Sequence, residues 1–321
     1  MDRVRVAVVG AGFWGRNHVR VLSEIPEVEL VAVCDADGRR AEEIAGKYGL
    51  KPYKDSMEMY RAEEIDAITL CVWSSNLAKE TIKALKAGKH VFVEKPMASS
   101  VEEALRSLRL AKAKGLKLQV GFIERFNPGV MKAKKAIEDG VIGTLVLATA
   151  KRVSRWPERI GDVGVIKDTA IHDIDVIRYL FNEDPVAVYA KAGSLRHRRF
   201  EDYAQIMLSF QSGKSAFIEA NWLTPYKVRK LTITGSEAII NLDYITQEIT
   251  IETSGETLTP RHEWEEPLKR ELQHFIKCVL GDREPSVTGV DGVKALRIAE
   301  AALKSAAEGR VVNIEYNDIV Y

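Results

Sequence analysis

The chain has 321 residues, of which 46% are hydrophobic and 29% charged, and its formal net charge is +1 at pH 7. That length accommodates two domains of ordinary size with substantial cores. The near-neutral balance gives no electrostatic case for nucleic acid or an anionic membrane, and no apolar run approaches the roughly 20 residues of a membrane span.

The opening stretch organises the rest. Val4, Val6, Ala7, Val8 and Val9 form a branched apolar run that reads as a buried parallel strand. It stops at Gly10-Ala11-Gly12-Phe13-Trp14-Gly15, a G-x-G-x-x-G, and passes into a helical pattern through Val21 and Leu22. A second strand, Glu29 to Val33, ends in Cys34 and Asp35, twenty positions past Gly15. Gly10 permits a tight turn, Gly12 a close backbone approach to a pyrophosphate, and Gly15 close packing of helix on strand. The helix start presents N–H groups and a positive dipole end to phosphates. Phe13 and Trp14 sit inside this loop and count among the cofactor contacts. Asp35 can accept both ribose hydroxyls and would repel a 2′-phosphate, so NAD is expected rather than NADP. Asp37 adds to that bias, while Arg39 and Arg40 act against it. The competing reading is a glycine-rich turn in some other α/β unit.

The chain then alternates. Helical segments over Asp37–Lys47, Asp55–Arg61, Asn76–Lys86 and Val101–Lys114 are separated by strands Ala67–Val72, His90–Val93 and Lys117–Val120. Gly88 and Gly115 follow two of the helices as stop signals. Alternation of this kind predicts a doubly wound parallel sheet, whose ligands bind beyond the carboxyl ends of the strands. Gly10, Asp35, Val72 and Glu94 all occupy such ends. The first domain is accordingly placed at residues 1–121 and the second at 122–321.

In the second half, Pro128–Asp139 reads as a helix, Thr144–Val153 as a long strand and Asp168–Leu180 as a helix. Five strand-like runs follow in close succession: Val186–Ala192, Tyr203–Phe210, Ser215–Trp222, Arg229–Thr234 and Ala238–Asp243. Strands without intervening helices predict a large, mostly antiparallel open sheet, with Leu268–Leu280 and Asp291–Glu308 as closing helices. An open sheet must cover its second face, which self-association would do, as a homodimer or homotetramer. The N-terminus enters a strand within a few residues, which points away from a signal peptide and toward the cytoplasm. Cys34, Cys71 and Cys278 lie far apart in apolar patterns, so neither a disulfide framework nor a metal site is expected.

Two constellations carry chemistry. Lys95, in Glu94-Lys95-Pro96 at a strand end, could hydrogen-bond a substrate hydroxyl and stabilise a developing alkoxide; alternatively it is a solvated loop lysine. In Asp168-Thr169-Ala170-Ile171-His172-Asp173-Ile174-Asp175, the residues Asp168, His172 and Asp175 share one helical face. His172 is suited to take a hydroxyl proton near neutral pH, with a carboxylate one turn away to orient it or hold substrate. The alternative is a helix start capped by Asp168 over a merely buried histidine.

The glycine loop, the acid-ended strand, AGKHVFVEKP (Ala87 to Pro96) and D-x-x-x-H-x-x-D, in that order, resemble the Gfo/Idh/MocA oxidoreductase family over nearly the whole chain. The resemblance implies a Rossmann domain followed by a domain with a large sheet, often paired between subunits. It implies Lys95 as catalytic lysine, His172 as general base, Asp168 as a partner contacting base or substrate, and oxidation of a secondary alcohol on a sugar or cyclitol. The chain departs from the family's usual Thr-Pro and downstream histidine at Val72, Trp73 and Leu77, and has Ala170 where a glycine is usual. Gly121 to Pro128 (GFIERFNP), with Lys151, Arg152, Val153, Arg155, Trp156, Pro157 and Arg159, is similar to UDP-N-acetylglucosamine 3-dehydrogenases, which implies the 3-hydroxyl of that nucleotide sugar as the site of oxidation. Arg125, Asn127, Lys151, Arg152, Arg155 and Arg159 are then candidates to contact substrate, the cations as a clamp for its diphosphate. An inositol or free-sugar dehydrogenase is the alternative. From another class, a non-catalytic dinucleotide-binding regulator is opposed by the presence of both Lys95 and His172.

Overall fold

The computed structural model describes residues 3–157, 161–261 and 263–319. It divides into two compact units. The first takes the chain up to Gly121 together with Leu268–Val293; the second takes Phe122–Pro267 and the segment from Lys294 onward.

The first unit alternates strand and helix: β1 (Val4–Val9), α1 (Phe13–Ser23), β2 (Val28–Cys34), α2 (Gly38–Tyr48), β3 (Lys51–Tyr53), α3 (Ser56–Ala62), β4 (Ala67–Leu70), α4 (Ser74–Lys86), β5 (His90–Glu94), α5 (Val101–Lys114) and β6 (Leu118–Gly121). All six strands pair in parallel, in the order β3-β2-β1-β4-β5-β6. Helices on both faces of such a sheet leave its central strands no solvent, which is why β1, β4 and β5 are nearly continuous runs of Val, Ile, Leu and Phe. Asp37 and Ser100 accept the backbone N–H of Arg39 and Glu103 and so start α2 and α5, and Gly49 and Gly115 close both helices in the left-handed conformation. β4 ends two residues sooner than its apolar pattern suggests. Its continuation, Cys71 and Val72, instead packs on the Gly10 turn: a Cβ at Gly10 would lie 2.5 Å from the Cys71 carbonyl oxygen. Helix α8 (Pro267–Leu280), expected in the second domain, packs here instead. Phe275 meets Phe92 edge-on at 5.8 Å, and the Gln119 amide donates to the Glu271 carbonyl at 3.4 Å.

The second unit holds α6 (Pro128–Glu138), β7 (Leu145–Val153), a wide turn (Ile166–Ala170), α7 (Ile171–Phe181), β8 (Pro185–Gly193), β9 (Tyr203–Phe210), β10 (Ser215–Asn221), β11 (Val228–Gly235), β12 (Ala238–Asp243), β13 (Ile249–Thr253), β14 (Thr257–Leu258), most of α9 (Gly289–Glu308) and β15 (Val312–Asn313). Its nine strands run β14-β13-β12-β11-β7-β10-β9-β8-β15. Every pairing is antiparallel except that of β7 with β10. Alternation is strict in β9, where Ala204, Ile206, Leu208 and Phe210 are buried and Tyr203, Gln205, Met207 and Ser209 are exposed. One face is therefore covered, chiefly by α7, whose Phe181 meets Phe210 at 4.9 Å. The opposite face is open. Among the described residues no helix is long and apolar enough to cross a membrane.

Candidate functional site

In the first unit the glycine loop is built by close approach. A Cβ at Gly15 would overlap the Gly10 carbonyl oxygen, and Gly10 has φ +97°, a left-handed value that favours glycine. Gly12 differs, because nothing of the protein lies within 4 Å of where its Cβ would be. Helix α1 starts at Phe13 with no side chain capping it and no acidic residue in its first turn. Open N–H groups beside that vacant Cβ position suit the phosphates of a dinucleotide. Asp35 reaches the same loop. One of its oxygens accepts the Ala11 N–H at 2.7 Å and the other the Asp37 N–H at 2.8 Å, which fixes the carboxylate at the end of β2. Phe13 is two-thirds exposed and Trp14 packs edge-on against it at 5.8 Å. Val72 is half-buried beyond β4, Trp73 precedes α4, and Leu77 is buried in the core.

Glu94 closes β5. Its Oε1 lies 3.0 Å from Nε2 of the fully buried His18, its Oε2 accepts the Lys95 N–H at 3.3 Å, and its carboxyl packs on Gly121. A half-buried carboxylate so held steadies the backbone from which Lys95 projects. His18 is a residue that sequence reasoning missed; its place one turn beyond Gly15, on the helix face turned toward the sheet, was the available signal.

In the second unit Asp168 lies in the wide turn and His172 in the first turn of α7. Asp168 is not the helix cap, since its own N–H donates to the Gly164 carbonyl at 2.9 Å. The turn is anchored from distant strands. The Ile166 N–H donates to the Glu201 carboxyl at 3.0 Å, the Trp222 indole N–H to Thr169 Oγ1 at 3.0 Å, and Lys167 pairs with Glu300 at 3.0 Å. Burial raises the Glu201 pKa, although the Ile166 N–H works the other way. Asp168 and His172 stay half-buried, whereas Asp173 and Asp175 are sealed off.

Those sealed carboxylates correct the clamp expected from the basic segment. Arg152 is buried, with its guanidinium on Asp173 at 2.6 Å and on Glu124 at 2.8 Å, and stacked over the Tyr244 ring. Burial opposes its charge, but the two carboxylates outweigh that and raise its pKa. Removing one partner from such a group typically costs about 3–5 kcal/mol. Arg125 is likewise held bidentately by Asp175, at 2.7 and 2.6 Å. Asn127 caps α6, its Oδ1 accepting the Gly129 N–H and its amide donating to Glu124 and the Tyr244 carbonyl. All three, expected to touch substrate, are engaged within the protein by these groups. Arg155 donates to the Pro225 carbonyl. Lys151 faces the open side of the sheet, paired with Glu219 at 3.3 Å, because neighbouring strand residues point to opposite faces. Arg159 lies outside the described residues. Asp175, expected on the His172 face, is turned inward to Arg125 and Arg178.

Two cations not singled out from the sequence are Lys227, exposed just before β11, and Arg229, half-buried near its start. Arg229 is the cross-strand neighbour of Arg152 and touches Glu124 at 3.5 Å.

A family profile described as the oxidoreductase family, NAD-binding Rossmann fold, matches residues 4–122, and its C-terminal alpha/beta domain counterpart matches residues 134–314. The chain is 33% identical over 332 residues to an inositol 2-dehydrogenase of Rhizobium meliloti (strain 1021), covering 97% of this chain and 99% of that protein. It is 31% identical over 332 residues to the scyllo-inositol 2-dehydrogenase (NAD(+)) of Bacillus subtilis (strain 168), covering 98% and 97%. The solved UDP-N-acetylglucosamine 3-dehydrogenase of Acidithiobacillus ferrooxidans superposes with a TM-score of 0.88 at 24% identity over 96% of this chain and 99% of that one, a likeness of fold. The chain belongs to the Gfo/Idh/MocA oxidoreductase family, as an NAD-dependent dehydrogenase.

Proposed function

We propose that the protein oxidises a secondary hydroxyl of a cyclic polyol of the inositol or free-sugar type. The observation that carries this is the full-length similarity to inositol 2-dehydrogenases at 33% and 31% identity. It displaces the nucleotide-sugar reading as the leading one, since two of the arginines that reading needed, Arg125 and Arg152, are occupied by buried carboxylates. In this reading the Gly10–Gly15 loop, the α1 N-terminus and Asp35 hold NAD. Bound NAD supplies the hydride acceptor. His172 takes the hydroxyl proton, Lys95 donates a hydrogen bond to the oxygen as negative charge develops, and Asp168 positions base or substrate. His18 and Glu94 position the Lys95 backbone.

Initial-rate formation of NADH with myo-inositol, scyllo-inositol, glucose and UDP-N-acetylglucosamine tests the reading. Turnover of the free rings supports it, and turnover of the nucleotide sugar alone returns the diphosphate reading. Tight NAD binding without turnover of any ring points to a regulatory protein. The open face of the nine-stranded sheet supports a further element of the proposal, assembly with a second copy of the chain.

A further inference from the structure

Val153, Asn221, Tyr203 and Gly193 stand opposite one another across β7, β10, β9 and β8, so the segments beyond them gather at one end of the sheet. The turn that carries Asp168 is bonded to that end. The Trp222 indole N–H donates to Thr169 Oγ1 at 3.0 Å, and the Val165 N–H donates to the Glu201 carbonyl at 2.9 Å. From Trp222 a row of aromatic rings runs outward. Trp156 meets Trp222 edge-on at 6.1 Å, His197 lies 6.2 Å from Trp156, and Phe200 lies 5.2 Å from His197. Trp222 is buried, whereas Trp156, His197 and Phe200 are half-buried and keep apolar ring surface open. The loop beneath the row is held from within. Asp202 accepts the N–H groups of Leu195, Arg196 and His197 at 2.6–3.0 Å, and His197 Nδ1 accepts those of Arg199 and Phe200 at 3.0 and 2.9 Å. Ser154, two residues before Trp156, donates its N–H to the Asn221 carbonyl and accepts that of Thr224.

We infer that Trp156 is the stacking surface for the substrate ring, and that it selects rings whose hydroxyls are equatorial. This deepens, and rests on, the cyclic-polyol reading. A neutral polyol ring has two kinds of surface, a polar rim of hydroxyls and two faces of axial C–H groups. Asp168 and His172 can answer only the rim. A face left against water contributes nothing to binding, whereas an aromatic ring covers it and orients the hydroxyls at the same time. Of the rings with open surface, Trp156 is the one next to Trp222, which is itself bonded to the residue after Asp168. A hydroxyl standing axially on the stacked face would hold the ring off the indole and lose its own water, so such isomers are disfavoured. Held by Trp222 on one side and by the loop of His197 on the other, the indole needs little further ordering to receive a ligand.

Two measurements test this without relying on turnover. With 5-fluorotryptophan in place of the five tryptophans, the Trp156 fluorine resonance is identified by its absence in Trp156→Phe. Adding scyllo-inositol, whose hydroxyls are all equatorial, to the NAD-loaded protein is expected to move that resonance. Calorimetry of the NAD-loaded protein then compares variants. Trp156→Leu, apolar but without a ring, is expected to bind scyllo-inositol about tenfold more weakly at unaltered NAD affinity, and Trp156→Phe to recover most of the loss. A Trp156 resonance indifferent to saturating scyllo-inositol would overturn the inference, and that measurement needs no loss-of-function variant to fold. So would a folded Trp156→Leu protein that binds the ring as the parent does. Ring binding beside an unmoved resonance removes only the stacking surface and leaves the dehydrogenase reading standing. A parent that binds no free ring at all removes both.

Discussion

Gly12 and Gly15 are glycines for different reasons, and the difference is measurable. A methyl group at Gly15 would enter the Gly10 carbonyl oxygen, so Gly15→Ala is expected to destabilise the first unit by about 1–3 kcal/mol, the usual cost of overpacking. Gly12→Ala meets nothing of the protein, and its melting temperature should match that of the parent while NAD binding weakens. Calorimetric titration with NAD beside a thermal melt separates the two; unaltered NAD affinity in Gly12→Ala would remove the pyrophosphate from that position. Lys95→Met should lower kcat by about 10²–10³, the usual consequence of losing one donor to a developing oxyanion, with little change in NAD affinity. Unaltered kcat would strike Lys95 from the mechanism. The glycine loop and the strand end that carries Lys95 were legible in the sequence because each belongs to a short local motif whose physics is complete within a few positions. Arg152 was misread for the converse reason. Its partner Asp173 lies on α7, 21 positions along the chain, and no local pattern distinguishes an arginine buried against a distant carboxylate from one that waits for a ligand.

The wide turn that carries Asp168 raises the same contrast at the scale of an element. The sequence predicts a helix from Asp168 onward, and the structure begins helical winding at Ile166 with an extra residue per turn before α7. Nothing in Ile166–Ala170 signals this. The anchors are Glu201 and Trp222, brought alongside by the sheet. Glu201 gives a test with a definite sign. Its carboxyl holds its proton more tightly in the folded chain than when unfolded, so the ionised form is disfavoured by folding. Below the ordinary carboxylate range both states carry the proton and no penalty exists; the penalty grows as pH rises toward the folded pKa and is full above it. Glu201→Gln, which keeps an oxygen for the Ile166 N–H, should therefore melt higher than the parent at pH 7, with the gap closing as the pH is lowered. A gap independent of pH would show that the charge is not what burial opposes. Six of the nine open-sheet strands, by comparison, were legible nearly to the residue, because period-two alternation announces a sheet with one covered face, whereas the short β13, β14 and β15 were not. Their order was not. The place of β7 between β11 and β10 depends on pairings across 68 to 90 positions, and the membership of α8 in the first unit on side chains as far off as Phe92.

For the molecule as a whole, the open face of the second unit sets the remaining requirement. Tyr189, Met207 and Phe217 are direct cross-strand neighbours on β8, β9 and β10, all pointing away from α7. Leu147 and Ile239 continue the apolar surface on β7 and β12, and Lys151, Glu219, Lys191 and Lys230 flank it. Apolar side chains ordered in rows, with charges beside them, are suited to burial against another ordered surface. A sheet meeting its own copy about a two-fold axis presents the same row to itself, so one substitution acts on both sides of the contact. Met207 lies in the middle of the three-residue row and is 43% exposed, so Met207→Lys removes little from the core. In the assembly it would bring two ammonium groups and their desolvation into an apolar contact, a disruption of several kcal/mol if both are buried. Sedimentation velocity should find the parent as two or four copies at micromolar concentration, and Met207→Lys as smaller species with an unchanged far-ultraviolet spectrum. A parent that sediments as one copy would mean that this face meets something else, and an assembly indifferent to Met207→Lys would place the contact elsewhere on the chain.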